Sequence, residues 1–344
     1  MRFSQHKEVA VLVLNWNGRT LLQQFLPSWL AHTPDYADLI IVDNGSTDDS
    51  VSFLQEHYRD VHLLAFEENL GFAGGYNRAI EELDYQTVIL LNSDVELTSG
   101  WLDQPMQLLN SSPEIAAVQP TLRAQRSPKD FEYAGAAGGF IDRLGYPFCR
   151  GRIFDTIEED RGQYADSVDL FWASGACLII RRAVYREVGG LDTLFFAHQE
   201  EIDLCWRLNA RGWRIVSAPQ SIVYHIGGAS LSADSPRKVF LNFRNNLLMI
   251  YKNLPAPTLH RVLFARMILD LVAMLVYLLR LRPGQAASVL KGWRCFLIKR
   301  QRYESTRQEN LKKTVRPISP ELMKPYSLLF QYYFKGGKRY SDLP

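Results

Sequence analysis

The first 120 residues alternate short aliphatic runs with stretches of helical periodicity, and this alternation constrains the fold more than any other feature. The runs are nearly continuous, as strands covered on both faces require. They lie at 9–15, 39–44, 61–66, 87–92 and 115–120, with helical patterns at 19–33, 46–58 and 72–83 between them. Ser46 is the expected N-cap of the middle helix. This order predicts an α/β fold, a mostly parallel central sheet with flanking helices.

Polar residues follow several of these runs at the point where each strand should end. They are Asn15, Asp43, Glu67 and Asp94. In doubly wound sheets, ligands bind beyond the carboxyl ends of the strands. We therefore expect these side chains to line one crevice.

The rest of the sequence predicts an irregular middle region and a helical C-terminal region. Residues 121–167 are rich in Gly, Arg and Asp, which is typical of long loops or a short hairpin. A strand and helix follow at 169–192, then a helix at 200–213, short strands at 214–218 and 221–225, a flexible loop at 226–238, and helices at 237–253, 258–281 and 284–303. We expect an α/β domain over residues 1–236 and a mainly helical C-terminal extension over 237–344.

Charge divides at the same boundary. Residues 1–235 contain 18 Lys and Arg against 32 Asp and Glu, a net charge of −14, whereas residues 236–344 contain 21 against 5, a net charge of +16. The acidic part could hold cations, and the basic part should attract phosphate. Four scattered cysteines, without a C-x-x-C pair, argue against structural zinc or a disulfide framework. With no secretory signal pattern at the N-terminus, a cytoplasmic location is expected.

The apolar stretch 259–282 raises the question of a membrane. Its longest uncharged run, Leu271 to Leu279, is nine residues, whereas a spanning helix needs roughly 20. The sequence therefore argues against a transmembrane helix. It leaves open an amphipathic helix on an anionic membrane surface, which we favour, and a helix packed on the globular domain. No nucleic-acid module is recognisable in the basic region, so nucleic acid is not an expected partner.

Asn92-Ser93-Asp94 closes the fourth aliphatic run with an amide and a carboxylate. One carboxylate on a rigid strand end can orient a hard divalent cation whose other ligands come from a diphosphate. The same residues also suit a plain turn. Asp43 could likewise bind a nucleotide or form an Asx turn.

Two further segments carry chemistry-bearing residues. Glycines at 71, 74 and 75 open a helix where backbone N–H groups could approach a phosphate, but their spacing is neither dinucleotide-binding nor Walker-type. Glu200, Glu201 and Asp203 begin another helix after an apolar segment. These acids could simply interact favourably with the helix dipole, and Asp203 could form an i,i+4 ion pair with Arg207. Alternatively, one of them could act as a base in an enclosed site. His225 ends a strand beside glycines and is a candidate metal ligand.

Seven segments, in this order, resemble the family 2 glycosyltransferases of the GT-A fold, particularly their rhamnosyltransferase-like bacterial branch. They are LNWN, IIVDNGSTDDS, ENLGFAGGYN, LLNSDV, WASGACLIIRR, EEIDLCWRLNARGW and VYHIGG, spread over residues 8 to about 250. Each is modest alone, but their order and spacing are specific. The resemblance implies a Rossmann-like GT-A domain and an inverting transferase that uses a nucleotide-diphosphate sugar and Mg²⁺ or Mn²⁺.

The resemblance also implies roles for individual residues. Asn15 would line the nucleotide pocket and Asp43 would contact the base. Asp94 would hold the metal with His225. Asn69, Gly71 and Gly75 of the glycine loop, with Asn77, would lie along the ribose and diphosphate. Asn92-Ser93-Asp94 occupies the family's D-x-D position. Trp172, Ser174 and Gly175 fall in the segment that borders the donor sugar and the acceptor. Asn92 replaces the first acid of the family's D-x-D pattern, and this loss of charge could weaken metal binding.

The family's catalytic Glu-Asp pair corresponds to Glu200-Glu201, so Glu201 is the implied base, with Glu200 beside it and Asp203 as the alternative. The acceptor would be a hydroxyl of a glycan or of a lipid-linked glycan. A nucleotidyltransferase of related fold and a non-catalytic nucleotide-sugar sensor are the competing hypotheses.

Overall fold

The aliphatic runs form strands of one central sheet, as the sequence predicts. A computed structural model describes residues 7–227 and 235–344. Within these residues the strands are β1 Val9–Asn15, β2 Ala37–Asn44, β3 His62–Phe66, β4 Thr87–Asn92, β5 Val95–Glu96, β6 Ile115–Ala124, β7 Ser127–Phe131, β8 Gly139–Asp142, β9 Pro147–Cys149, β10 Arg152–Ile153, β11 Thr156–Ile157, β12 Cys177–Arg181, β13 Arg214–His225 and β14 Met323–Lys324. The helices are α1 Arg19–His32, α2 Ser50–His57, α3 Gly71–Glu82, α4 Asp103–Ser111, α5 Arg182–Glu187, α6 Glu200–Ala210, α7 Pro236–Asn253, α8 Ala256–Leu279, α9 Pro283–Lys299, α10 Glu304–Lys312 and α11 Leu328–Phe334.

The central sheet has the order β3-β2-β1-β4-β12-β6-β13-β5, and β7 pairs with β6. The first four of these strands are parallel; the side chains of β2, β1 and β4 are mostly buried between layers of helices, whereas those of the edge strand β3 are partly exposed. Strand β12 inserts antiparallel between β4 and β6, so the sheet is mixed. The carboxyl ends of β1, β2 and β4 nevertheless meet at one edge, as expected.

One local prediction is wrong and another is incomplete. Helix α2 begins at Ser50 after Asp49, not after Ser46. Ser46 instead forms hydrogen bonds with Asp43, so the turn after β2 is closed by side chains before the helix starts. Residues 121–167 contain short hairpins between loops, as expected, but β8 to β11 also form a second small sheet, which β14 completes from the C-terminal region. Strands of two to four residues are too short to show periodicity.

The C-terminal helices share the main hydrophobic core, where α7 contributes Leu247, Leu248, Met249 and Ile250. The division at residues 236 and 237 therefore separates regions of different composition that pack on each other. Among the described residues, α8 is the one helix long and apolar enough to cross a membrane by length and composition, with a mean hydropathy of 2.3. Its charged residues Arg266 and Asp270 are buried. Residues 228–234 of the predicted flexible loop lie outside the described residues.

Candidate active site

Asn15 and Asp43 meet at the ends of β1 and β2. Both are buried, and the Asn15 Nδ2 donates to Asp43 Oδ2 at 2.8 Å. Asp43 also accepts from the Ser46 backbone N–H at 2.9 Å and from its hydroxyl at 2.7 Å. The carboxylate therefore holds the ends of β1 and β2 and the turn at Ser46 together. Its contact with a nucleotide base stays a prediction.

Asn44, which the sequence analysis did not single out, holds the glycine loop. Its Nδ2 donates to the carbonyl of Gly71 at 3.0 Å and to Asn69 Oδ1 at 3.1 Å, and its Oδ1 accepts from the Leu70 N–H at 3.0 Å. Gly71 has a φ of +73°, which only glycine adopts readily. Asn69 and Gly71 thus lie at the crevice, beside the ends of β1 and β2.

The structure does not support ligand contacts for Gly75, Asn77 and Trp172. A Cβ on Gly75 would lie 2.6 Å from Leu14 Cδ1, so this glycine permits α3 to pack closely on the sheet. Asn77 joins α3 to the segment after α5, because its amide donates to the Leu191 carbonyl at 2.8 Å and its Oδ1 accepts from Leu191 N–H at 3.0 Å. Trp172 is buried and donates to the Phe140 carbonyl at 3.0 Å.

Asp94 and His225 are brought together by β5, which pairs antiparallel with the end of β13. The His225 Nε2 lies 3.0 Å from Asp94 Oδ1. On the other side of the ring, Nδ1 lies 3.3 Å from Oε1 of Glu132, a buried acid that the sequence analysis missed. Burial alone would lower the pKa of His225, but hydrogen bonds and the charges of the two acids outweigh burial and raise it to about 10.

A divalent cation that also binds a diphosphate would displace the proton held between Asp94 and His225, because an imidazole ligates a metal only in its neutral form. Within residues 7–227 and 235–344 no group of three or more His, Cys, Asp or Glu side chains could hold a metal ion unaided. Asp94 and His225 would supply a carboxylate oxygen and an imidazole nitrogen. Mg²⁺ is commonly held by one or two carboxylates plus substrate phosphates, so two protein ligands suffice. Asn92 and Ser93, which precede Asp94, are partly buried at the same strand end.

Glu200 and Glu201 begin α6 on the other side of the segment 174–176. The Asn92 N–H donates to the Ala176 carbonyl at 3.0 Å, and a Cβ on Gly175 would lie 3.7 Å from Glu201 Cβ. Gly175 therefore lies between the strand end that carries Asp94 and the acids of α6. Oε2 of each glutamate is buried without a hydrogen-bond partner in the part of the chain that the structure describes. Burial raises the pKa of Glu201 to about 7, and burial with repulsion from Glu201 raises the pKa of Glu200 well above its ordinary value.

Asp203, the alternative base, is placed elsewhere. It is fully buried, with Oδ2 at 2.8 Å from Lys252 Nζ and 3.0 Å from Arg207, and with Oδ1 accepting from Asn253 at 3.0 Å. Burial alone would raise its pKa, but Lys252 and Arg207 lower it below the ordinary value. An ionised, fully bonded carboxylate is a poor proton acceptor. The geometry therefore disfavours Asp203 as the base.

A strained turn presents the two glutamates. Phe196, His198 and Gln199, immediately before α6, have φ values of +68°, +69° and +74°. Conformations of this kind cost about 1–3 kcal/mol each and need support from their surroundings. Asn245 of α7 supplies it, because its Nδ2 lies 3.0, 2.8 and 2.7 Å from the carbonyl oxygens of Phe195, Ala197 and His198.

Replacing Asn245 by alanine is expected to lower kcat by about 10-fold or more while leaving the KM for the donor nearly unchanged, because the acids of α6 lose their fixed placement. Initial rates over a range of donor concentrations measure both constants. Asn209→Ala is a matched control, since buried Asn209 also donates to two carbonyls, at 2.8 and 2.9 Å, at the far end of α6. Equal kcat losses in the two variants, at equal loss of thermal stability, would contradict a positioning role.

The fold and the crevice define a class of protein. The chain superimposes on GalNAc-T7, solved with UDP, GalNAc and Mn²⁺, with a TM-score of 0.57 and 15% identity over 74% of this chain and 49% of that one. It also superimposes on the mannosyltransferase PcManGT of Pyrobaculum calidifontis, solved with GDP-Man and Mn²⁺, with a TM-score of 0.52 and 16% identity over 90% and 86% of the two chains. The architecture is therefore that of the GT-A glycosyltransferases.

The chain belongs to glycosyl transferase family 2, whose sequence profile matches residues 10–189. The N-acetylglucosaminyl-diphospho-decaprenol L-rhamnosyltransferase of Mycobacterium tuberculosis is 28% identical over 242 residues, covering 65% of this chain and 78% of that protein. The low-salt glycan biosynthesis hexosyltransferase Agl10 of Haloferax volcanii is 21% identical over 247 residues, covering 70% and 75%. The protein is thus a glycosyltransferase, and the predicted fold and enzyme class are confirmed. The nucleotidyltransferase and sensor hypotheses are set aside.

Proposed function

We propose that this enzyme is an inverting, metal-dependent glycosyltransferase in cell-surface polysaccharide synthesis. It would move rhamnose or another hexose from a nucleotide-diphosphate sugar to a hydroxyl of a glycan or lipid-linked acceptor. The observation that carries the proposal is the pair of buried carboxyl oxygens of Glu200 and Glu201, which have no hydrogen-bond partner in the region that the structure describes, on a helix whose Glu201 Cβ lies beside Gly175. The name of the mycobacterial relative supports a rhamnosyl donor and a lipid-linked acceptor.

Transfer is one displacement. Glu201 takes the proton of the acceptor hydroxyl while that oxygen forms a bond to the anomeric carbon, and the bond from that carbon to the diphosphate oxygen breaks. The nucleoside diphosphate leaves on the opposite face, so the configuration inverts. Asn15 and Asp43 border the nucleotide, and Asp94 and His225 would hold Mg²⁺ or Mn²⁺. When bound, such a cation supplies positive charge beside the diphosphate.

A location in the cytoplasm, peripheral on the inner face of the cell membrane, belongs to the same proposal. A sugar nucleotide is dissolved in water and a lipid-linked acceptor is anchored in the membrane, so transfer between them would take place at the membrane surface. The net charge of +16 over residues 236–344 suits attachment to an anionic surface.

The donor site is tested by thermal shift with a panel of nucleotide-diphosphate sugars, each with and without Mn²⁺. The matching donor with Mn²⁺ is expected to raise Tm, since a ligand at 100 times its Kd stabilises by about 2.7 kcal/mol. Asp94→Asn should remove the part of the shift that depends on Mn²⁺, because it removes the carboxylate charge.

Asp84→Asn is the control, because Asp84 is a fully exposed carboxylate that pairs with Arg182 on the surface. Its donor shift should equal that of the wild type. The donor proposal fails if every sugar nucleotide, with either cation, leaves Tm unchanged. It is also contradicted if a labelled donor that binds yields no product with any glycan or lipid-linked acceptor.

A further inference from the structure

From Val262 onward, helix α8 has its charged residues inside and its exposed residues apolar, the reverse of an ordinary surface helix. Arg266 and Asp270 are buried, with Arg266 Nε 3.4 Å from Asp270 Oδ1. Asp270 Oδ2 accepts from Trp293 Nε1 of α9 at 2.9 Å, and Arg266 also contacts Asn246 of α7. The polar groups of α8 thus bind the helices beneath it.

The outward side of α8 is a continuous apolar surface, which we call the α8 face. Every exposed residue of the helix after Val262 is apolar. The face comprises Phe264, Met267, Ile268, Leu271, Val272, Leu275, Val276, Leu278 and Leu279. Exposed Leu281 extends it into the turn before α9. A soluble monomer rarely leaves so large an apolar patch in water.

Basic residues flank the α8 face. Arg261 and Arg280 are exposed at its two ends, and α9 exposes Lys291 and Arg294. Helices α8 and α9 contain one carboxylate between them, Asp270, and it is buried. A second copy docked here would bring like charges together without compensating acids. An anionic phosphate surface complements the basic residues and an acyl layer complements the apolar ones.

The end of the α8 face lies beside the turn that presents the catalytic acids. A Cβ on Gly284, in the first turn of α9, would lie 3.3 Å from Pro236 at the start of α7. The next residue, Arg237, places its guanidinium 5.0 Å from the centre of the Phe196 ring. Phe196 belongs to the strained turn before Glu200 and packs 3.8 Å from the Cβ position of Gly71.

We propose that the α8 face docks on an anionic lipid bilayer, with α8 lying in the interface of one leaflet. The helix does not cross the bilayer, because its inner side, with Arg266 and Asp270, packs on α7 and α9. Docking brings the crevice mouth near the lipid surface, where the sugar of a lipid-linked acceptor would be presented. This consequence rests on the proposed function, but the docking itself is measured without any transfer.

The test is flotation of the full chain with vesicles of phosphatidylglycerol and phosphatidylethanolamine, against vesicles of phosphatidylcholine. The wild type is expected to float with the anionic vesicles, more weakly at about 0.5 M salt and on neutral vesicles. The double variant Leu271→Glu/Leu275→Glu should lower the partition coefficient at least about 10-fold, because charges replace apolar contacts with lipid. The matched control is Leu30→Glu/Tyr36→Glu. These residues of the acidic region are both 45% exposed, against 43% and 53% for Leu271 and Leu275.

Flotation of the α8 double variant equal to that of the wild type would overturn the proposal, as would absence of wild-type flotation on every vesicle. A wild-type dimer that becomes monomeric in the α8 variant, without vesicle binding, would assign the face to a second copy instead. The donor thermal shift of the α8 variant separates the two proposals. A normal shift with lost flotation supports both, whereas flotation without any donor shift refutes the proposed function alone.

Discussion

Glu201→Gln is expected to bind the donor normally and to transfer sugar about 10²–10⁴-fold more slowly, the range that a positioned general base contributes. Glutamine keeps the size of the side chain, so the packing of Glu201 beside Gly175 is retained. Its amide cannot take the proton of the acceptor hydroxyl. Single-turnover rates with a labelled donor measure the chemical step, and thermal shift measures donor binding.

The pH dependence of sugar transfer by the wild type is a second test of Glu201 as the base. Burial raises the pKa of Glu201 to about 7, and a base must be ionised to act. The rate should therefore rise as pH increases through about 7, above the usual range of a carboxyl. The raised pKa also has a stability consequence. The folded state binds this proton more tightly than the unfolded state does, so stability is lost between the unfolded pKa near 4.5 and the folded pKa near 7.

Glu201→Gln should consequently raise Tm at about pH 8 and change it little below about pH 4, since the amide removes a buried carboxylate that lacks a partner among the described residues. Glu187→Gln at the end of α5 is the control and should alter neither transfer nor its pH dependence. Full transfer by Glu201→Gln would remove Glu201 from the mechanism. A loss of transfer accompanied by a lower Tm would indicate misfolding instead.

The sheet could be predicted because strands buried on both faces leave long aliphatic runs, such as the one that ends at Asn92. The position of β12 could not, because its pairing with β4 and β6 is set by contacts about 60 to 90 residues apart in sequence. The same limit applies to β14, which joins β8 across about 180 residues. Local pattern identifies a strand but carries little information about its neighbours.

The candidate site likewise contains residues that could be predicted from the sequence and residues that could not. Asp94 is predicted at the crevice because strand ends converge, and the resemblance to the family pairs it with His225. Glu132 was missed, since nothing in its local sequence shows that the β6–β7 hairpin carries it to His225. Asn77 and Trp172 show the converse. They occur in recognisable motifs, yet their polar atoms bond to Leu191, Tyr185 and Phe140, so a motif residue can serve packing.

Lys252→Met is expected to cost about 3–5 kcal/mol of unfolding free energy, the usual effect of removing one partner from a buried ion pair. Lys252 is buried, and its Nζ lies 2.5 Å from Asp192 and 2.8 Å from Asp203. Its loss leaves Asp203 with Arg207 and Asn253 in the described structure and removes the cation that holds Asp192 beside α7. Because Asp203 is in α6, the same contact ties the C-terminal region to the helix that carries Glu201. Urea unfolding at neutral pH, with the midpoint and slope fitted together, measures the cost.

Lys313→Met is the control, since Lys313 also pairs with a glutamate at 2.5 Å but its side chain is half-exposed. An exposed pair of this kind contributes about 0.2–1 kcal/mol, so the loss of unfolding free energy should be several-fold smaller in Lys313→Met than in Lys252→Met. Adding Asp203→Asn to Lys252→Met should recover part of the loss, because the second change removes the carboxylate that the first leaves short of positive charge. This double variant keeps the test decisive even if Lys252→Met does not fold. If the unfolding free energy of Lys252→Met lies within about 1 kcal/mol of the wild-type value, the ion pairs do not anchor α6 to α7, and the C-terminal helices hold the site through apolar packing and the hydrogen bonds of Asn245 and Asn253.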